Sequence, residues 1–303
     1  MINDLNGKVM KNTIGDLFKI VSITGRTCGV VFDGYPQIQY KNIDYVVTGA
    51  IKNNFKPFVY GKGYFGYRSR SERPPMSEEY KYVYEAWKSM LRRCYSVEDG
   101  KWKNHKIFNV SVCDEWMSFK NFYEWTRTPI SNFKIGYELD KDIIGGGFEY
   151  SPHSCVFIPK ELNNAFAVVN PLQEYPTGVK LCCHKYYAII SLNKKKFHLG
   201  NFNTIKDAAL TYKIAKSYSV VALANRLYNE SKIPLWLKEY ITIKGWTGKW
   251  IDKDCKLINE NKEYMTIDEL VNSERLKQFK KELDKERSET IRTESQEKDL
   301  VEN

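Results

Sequence analysis

The sequence predicts an α+β protein assembled from several small modules. Two regions, one near the start of the chain and one after residue 175, contain short runs that alternate apolar and polar residues. This period of two is typical of half-buried strands. Between these regions, aromatic residues recur at spacings of three and four, which is typical of helices. A chain of 303 residues is long enough for two or three domains.

The first region, residues 1–67, is predicted to be a small β-rich module. The runs LFKIVSI, CGVVF and PQIQYKNIDYVV are short and β-type, with glycine or asparagine between them, which favours a barrel-like, SH3-like arrangement. The segment that follows these runs is rich in aromatic residues: Phe55, Phe58, Tyr60, Tyr64, Phe65 and Tyr67. One interpretation, which we favour, is that they fill the core of the barrel; the other is that they stack on nucleic acid beside nearby lysines.

Residues 68–79, RSRSERPPMSEE, are the predicted linker, because they combine prolines, serines and dense charge. The pieces YEAWKSMLRRCY and VCDEWMSFKNFYEW then predict two aromatic helices. The piece LDKDIIGGGFEYSPHSCVFIPKELNNAF reads differently. It predicts a strand over 137–143, a glycine-rich loop over 145–151, a second strand over 154–158 and a helix over 161–168.

The region after residue 175 predicts three strands and one helix. Val179, Leu181, Ala188 and Ile190 are among the residues that fall on one face of the strands, and Lys180, Lys196 and His198 are among those on the other. Thr204 is a plausible helix N-cap, and the alanines after it recur at helical spacing, which allows close packing on the sheet. Residues 171–228 contain nine Lys or Arg and two acids. A small sheet with this charge favours a polyanionic partner, of which nucleic acid is the leading candidate.

This last region resembles the DNA-binding domain of the plant ethylene-response-factor type, in the motifs TGVK, YYAIIS, KKKFHLGNF and TIKDAALTYKIAK. The resemblance implies that the sheet enters the major groove of double-stranded DNA with the helix packed behind it. It assigns DNA contacts to Lys180, Lys196 and His198, whereas Ile189 and Ser191 replace charged residues of the family. The remaining lysines expected at this surface are Lys185, Lys194 and Lys195. The alternative interpretation of residues 194–196 is a solvated hairpin tip.

Residues 80–168 resemble phage HNH endonucleases of the homing type, which are ββα-metal proteins. The resemblance rests on the elements LDKD, YSP with a following cysteine, and a closing Asn-Asn pair. It implies that Asp140, with Asn163 or Asn164, binds Mg²⁺ or another divalent cation, which would assist phosphodiester hydrolysis.

The sequence departs from this family at the general base. Lys141 stands where active members have a histidine, and an ordinary lysine is protonated at neutral pH. Ser154 stands where the family has the asparagine that orients the base. His153 is a candidate replacement for the base, and its alternative interpretation, which we favour, is a surface-loop histidine.

Composition limits the remaining classes of function. The net charge is +10, and it is +13 for residues 1–267, because residues 268–303 contain eleven acids and eight bases. Residues 229–282 form an extension with a predicted helix over 267–281, and residues 283–303 a charged tail predicted to be disordered. Apolar runs are too short for a membrane span and the first residues do not form a signal peptide. Seven cysteines without a CxxC motif fit a reducing cytoplasm, that of the host cell if the gene is phage-encoded.

Two hypotheses follow from the sequence. The first is a metal-dependent HNH-type DNA endonuclease, and the second is a catalytically degenerate DNA-binding protein that acts as a phage regulator or counter-defence factor. No organic cofactor is expected. A zinc site from Cys94, Cys113 and Cys155 has the wrong ligand spacing for a structural zinc site, so we expect these three cysteines to be small buried groups.

Overall fold

The computed structural model describes residues 5–96, 109–144, 148–166, 174–192 and 195–246. The chain has the predicted α+β class and divides into two compact units, Met1–Lys160 and Glu161–Asn303. The predicted helix over 267–281, the predicted disordered tail, Lys194 and residues 145–147 of the glycine-rich loop fall outside the described residues.

The first unit begins with a four-stranded antiparallel sheet in the order β1-β2-β3-β4. Its strands are β1 (Val9–Lys11), β2 (Leu17–Thr24), β3 (Thr27–Phe32) and β4 (Tyr35–Asn42). One face is buried, because alternate residues such as Phe18, Ile20 and Val30 are at most 1% exposed. Within the described residues β1 and β4 remain the two edges of the sheet, so the predicted barrel closure is not observed.

The run after β4 is a helix and not a strand. The sequence IDYVV was predicted to extend a β-type run, yet it forms α1 (Ile43–Val47). The Asn42 side chain accepts a hydrogen bond from the Asp44 amide at 2.9 Å, which caps the new helix. Ile43 and Val46, three residues apart, are both buried. This β-branched run is therefore helical because Asn42 caps its first turn and because burial of residues three apart is satisfied by a helix.

The aromatic residues between 55 and 67 do not fill the core of the sheet. Tyr67 is buried in a second core, and Tyr60 and Phe65 pack against that same core. The Tyr64 amide donates to the Met117 carbonyl at 2.9 Å, which ties this segment to the aromatic region. The prediction that these three residues fill the core of the barrel was wrong, because they pack in the second core. Alternation in the sequence does not show which of two cores a loop will join.

The second core is built around α2 (Glu78–Tyr95) and α3 (Phe119–Thr126), with a 3-10 turn over Asp114–Met117 before α3. Both helices were predicted from their aromatic spacing. Trp87 is fully buried, and its indole N–H donates to the Trp116 carbonyl at 2.7 Å. Burying this indole is favourable because its N–H has a partner. Helix α2 begins within the predicted linker, at the Ser77 cap.

Two short ladders complete the first unit. Strands β5 (Ser111–Val112) and β7 (Glu149–Tyr150) pair in parallel, and β6 (Glu138–Asp140) pairs antiparallel with β8 (Val156–Ile158). Strand β7 lies where the sequence predicted a continuous loop. Helix α4 (Lys160–Phe166) follows β8 and spans the boundary between the units. The predicted order of strand, strand and helix is therefore present, with shorter strands than expected.

The second unit contains a three-stranded antiparallel sheet in the order β11-β10-β9, followed by two helices. The strands are β9 (Val179–Cys182), β10 (Lys185–Leu192) and β11 (Lys195–Phe202), and the helices are α5 (Ile205–Asn229) and α6 (Leu235–Lys244). The predicted Thr204 cap is confirmed, because its hydroxyl accepts from the Asp207 amide at 3.1 Å. Trp246 covers Tyr212 of α5 edge-on, with 5.5 Å between ring centroids.

Candidate functional site

The three-stranded sheet of the second unit has one covered face and one open face. Val179, Ala188 and Ile190 are at most 5% exposed on the covered face. Helix α5 packs there with its small side chains, since Ala208 and Ala215 are fully buried. The sequence prediction of an alanine-faced helix against the sheet is confirmed. Alanine allows this approach because it adds only a methyl group between helix and sheet.

The strand register defines the open face. Tyr187 pairs with Lys180 on β9 and with Asn201 on β11. Side chains alternate between faces along a strand, so every second residue of β10 shares the side of Tyr187. The residues on this side, named here the open face, are Lys180, Cys182, Lys185, Tyr187, Ile189, Ser191, Lys196, His198 and Asn201.

A β-bulge in β11 determines which residues of that strand lie on the open face. Ala188 pairs with Gly200, but Ile189 pairs with His198, so Leu199 is the extra residue. Without the bulge, residue 200 would follow His198 on the open face; with it, Asn201 takes that place. Sequence alternation missed Asn201 for this reason. The one available signal was Gly200, because a glycine inside a strand often marks a bulge.

The predicted DNA-contacting residues are only partly brought together. Lys180, Lys185, Lys196 and His198 are all exposed on the open face. Lys195 is exposed but pairs with Leu192, so the register places it on the other side of the sheet. Its role in DNA binding, like that of Lys194, stays a prediction.

The open face carries lysine side chains at both ends and on one outer strand, and ring side chains in its middle. Lys185 lies beside the β9–β10 turn, Lys180 lies in the same row as Tyr187 and Asn201, and Lys196 lies toward the opposite end of β10. The middle holds Tyr187 stacked on His198, with ring centroids 5.9 Å apart and planes at 30°. The described residues of β9, β10 and β11 include no Asp or Glu. This face therefore has a positive potential at both ends with no acidic side chain of its own strands to cancel it.

The turn between β9 and β10 has an uncommon composition. Cys183 and His184 both adopt positive φ angles, 50° and 62°, in a two-residue connection. Asparagine and glycine are the usual residues in such turns, because other side chains are strained there. Both residues are exposed, and the Sγ atoms of Cys182 and Cys183 are 3.6 Å apart. The strain shows that this tight turn is held in place by the strands it joins.

The second candidate site centres on Asp140, at the end of β6. This carboxylate is 4% exposed. Its Oδ1 accepts hydrogen bonds from the amides of Asp142 and Ile143, at 3.0 and 2.9 Å. Burial, reinforced by the nearby Asp142 charge, raises the pKa of Asp140 to about 7. Through these two hydrogen bonds the Asp140 side chain stabilises the turn that its own residue begins.

The two residues considered as the general base occupy different surroundings. Lys141 is buried, its Nζ is 2.9 Å from Asp142 Oδ1, and it lies over the Tyr150 ring at 5.5 Å from the centroid. His153 is exposed in the turn before β8. Burial of the lysine stem and its contacts with Asp142 and the Tyr150 ring hold the side chain in place. The geometry therefore favours a structural role for Lys141 and leaves the assignment of His153 as a base a prediction.

The surroundings of Asp140 do not fit a hydrated Mg²⁺. Such an ion takes oxygen ligands and keeps several waters, whereas this carboxyl group is buried and accepts hydrogen bonds from two amides of its own turn. Asn163 is half-buried and Asn164 exposed, both on α4 in the second unit. Over the described ranges, no cluster of three or more His, Cys, Asp or Glu could hold a metal ion. The site formed by Asp140 with Asn163 or Asn164 stays a prediction.

The cysteines of the first unit behave as small packing groups. Cys155 is buried in the aromatic core, and Cys94 and Cys113 pack against it. Burial raises the pKa of Cys94 to about 11 and that of Cys155 to about 12, and it also raises the pKa of Cys113. Their positions within and against this core fit small packing groups.

Replacing Asp140 by asparagine is expected to change how stability depends on pH. Because the pKa of Asp140 is higher in the folded chain than the usual 3.8, the unfolded chain ionises first as pH rises. The carboxyl group therefore costs stability progressively between about pH 4 and pH 7, by roughly 2–4 kcal/mol. The amide cannot ionise and still accepts the two backbone N–H groups. We expect Asp140→Asn to gain stability relative to the native chain as pH rises across this window, measured by urea unfolding at pH 4.5 and 8.

An equal difference between the two proteins at both pH values would contradict the raised pKa. Asp142→Asn is a useful comparison, because the Asp142 side chain is mostly exposed. That variant tests how much of the pH dependence of stability comes from the charge of Asp142 alone.

Comparison of the chain with protein-family models, with curated proteins and with solved structures gives no match. Among the residues that the structure describes, no helix has the length and apolar character needed to cross a bilayer.

Proposed function

We propose that this protein binds double-stranded DNA through the open face of its three-stranded sheet. The observation that carries the proposal is the layout of that face: exposed lysines at both ends and on the outer strand β9, aromatic and short polar side chains on the other two strands, and a helix covering the opposite side. Lysines that neutralise phosphates supply most of the sequence-independent affinity for DNA. Short polar side chains between them are placed to meet base edges.

The dimensions of the sheet support the same partner. Adjacent strands lie about 4.8 Å apart, so the three strands span about 10 Å, which is close to the roughly 12 Å width of the major groove. Strand β10 has eight residues, a length of about 27 Å along the groove. A sheet of this width can lie in the major groove while its outer strands approach the two phosphate backbones.

The stacked pair of Tyr187 and His198 supports a contribution from ring contacts. Its centroid separation of 5.9 Å keeps both rings together on the open face. Flat rings of this kind contact base edges and sugars without the loss of much side-chain freedom, since each has two rotatable bonds.

Phosphodiester hydrolysis is the second candidate function. The order β6, β8, α4 supports it, because Asp140 ends β6 as the ligand of an HNH-type site would. Against it stands the buried and backbone-bonded state of this carboxyl group. The balance of these observations favours DNA binding without cleavage.

One experiment separates the two candidates. Supercoiled plasmid is incubated with the full chain and Mg²⁺ or Mn²⁺, and an Asp140→Ala variant serves as the control. We expect a shift of the plasmid on a gel without nicking. Nicking that disappears in the variant would establish the endonuclease instead, and absence of any shift at low salt would overturn the DNA-binding proposal.

A further inference from the structure

The centre of the open face differs chemically from its ends. Tyr187, Ile189, His198 and Asn201 form a block on β10 and β11, with Lys185 and Lys196 at its two ends and Lys180 beside it on β9. Bidentate Arg or Lys to guanine is the commonest specific contact in the major groove; strands β9, β10 and β11 contain no arginine among their described residues, and their lysines lie outside this block. Cytosine is typically read by a carboxylate, and the described residues of these strands include no Asp or Glu.

Asn201 is oriented by its neighbour. The His198 Nε2 atom lies 3.1 Å from the Asn201 Oδ1 atom. With the Nε2 proton present, histidine donates to the amide oxygen and leaves the amide NH₂ free to point outward. The oxygen retains a second lone pair. An asparagine side chain in this state presents one donor and one acceptor side by side, which is the pattern that pairs with N7 and N6 of adenine.

Ile189 supplies the matching apolar contact. It pairs with His198 across β10 and β11, and it lies one row along the sheet from Asn201. Diagonal neighbours in a sheet are about 7–8 Å apart, roughly the distance of two base-pair steps. An aliphatic side chain at that position can contact the C5 methyl group of thymine, which marks T in the major groove.

We propose that the centre of the open face recognises A·T base pairs in the major groove, with Asn201 bonded to adenine, Ile189 against the thymine methyl group, and His198 as the positioning residue. This inference rests on the proposed DNA-binding function. Lysines at the two ends hold the sheet on the phosphates of any sequence, and the central block adds the preference.

The test measures fluorescence anisotropy with labelled duplexes of equal length that have A·T-rich or G·C-rich centres. We expect the A·T duplex to bind about tenfold more tightly. Replacing its adenines by 7-deazaadenine removes the N7 acceptor, and replacing its thymines by uracil removes the methyl group. Each replacement is expected to reduce the preference, the first by about fivefold and the second by about twofold.

A matched pair of variants assigns the effect to one residue. Asn201→Ala is expected to lower affinity for the A·T duplex to about that for the G·C duplex. Asn203→Ala, an exposed asparagine just after β11, is expected to keep the full preference.

The possible failures are distinct. Tight binding of both duplexes with equal affinity, or an A·T preference that both replaced duplexes keep, would overturn the inference while DNA binding stands. Lack of binding to either duplex would overturn the DNA-binding proposal itself.

Discussion

Replacing Lys180 and Lys196 together by alanine is expected to weaken duplex binding by about tenfold to a hundredfold at 0.1 M salt and to flatten its salt dependence. The two residues lie on the two outer strands of the sheet, on the same face and two rows apart along it. Each lysine that neutralises one phosphate contributes about 0.9 to the slope of log K against log salt. Loss of both therefore lowers the slope by about two, which anisotropy titrations at four salt concentrations can measure.

The matched control replaces Lys206 and Lys244 by alanine; these two lysines are exposed on the two helices of the same unit. This variant has the same net charge as the first, so a general effect of charge would appear equally in both. An unchanged slope for the Lys180 and Lys196 variant, or an equal loss in the control, would show that the open face is not the DNA-binding surface.

Gly178→Ala is expected to destabilise the sheet and helix of the second unit by about 2–5 kcal/mol. Gly178 has a φ of +80°, where a side chain is strained. A Cβ atom at this position would lie 2.0 Å from the Tyr212 ring, which is itself buried on α5. The Gly178 carbonyl accepts from the Ile189 amide at 2.8 Å, so the glycine cannot move away without breaking a contact to β10.

Hydrogen exchange of peptides that cover β9, β10 and β11 reports this loss locally, which matters because a chain of two units need not unfold in one step. Tyr212→Ala removes the ring that the new methyl group would meet. We expect Gly178→Ala to cost less in the Tyr212→Ala background than in the native chain, as a double-mutant cycle would show. Exchange as slow in Gly178→Ala as in the native chain would contradict the close contact.

Much of the second unit could be predicted from the sequence. Alternation placed Val179, Ala188 and Ile190 on the covered face, and helical spacing placed Ala208 and Ala215 against them. These predictions succeed because burial of one face is imposed on every second strand residue and on one stripe of a helix. Leu181 is an exception: it was expected on the covered face and is 46% exposed, because it lies on the edge strand β9.

The candidate sites were less predictable. The bulge at Leu199 places Asn201 on the open face where regular alternation would place Gly200. The spacing of apolar residues in the sequence does not reveal such a one-residue insertion. The burial of Asp140 and its bonds to the amides of Asp142 and Ile143 also depend on the surrounding fold. A motif shows that a carboxylate is present, but its solvation depends on neighbours that are distant in sequence.

By itself, the sequence determined the α+β class, the aromatic helices, the alanine-faced helix and the concentration of lysines on one strand set, because each of these follows from local spacing and residue type. Tertiary structure decided that residues 60–67 join the aromatic core, that IDYVV forms a helix and that Asn201 stands beside His198. The first feature arises from contacts between segments far apart in the chain, and the other two from a side-chain cap at Asn42 and a bulge at Leu199. Packing and hydrogen bonding at these places override the alternation of the segment itself.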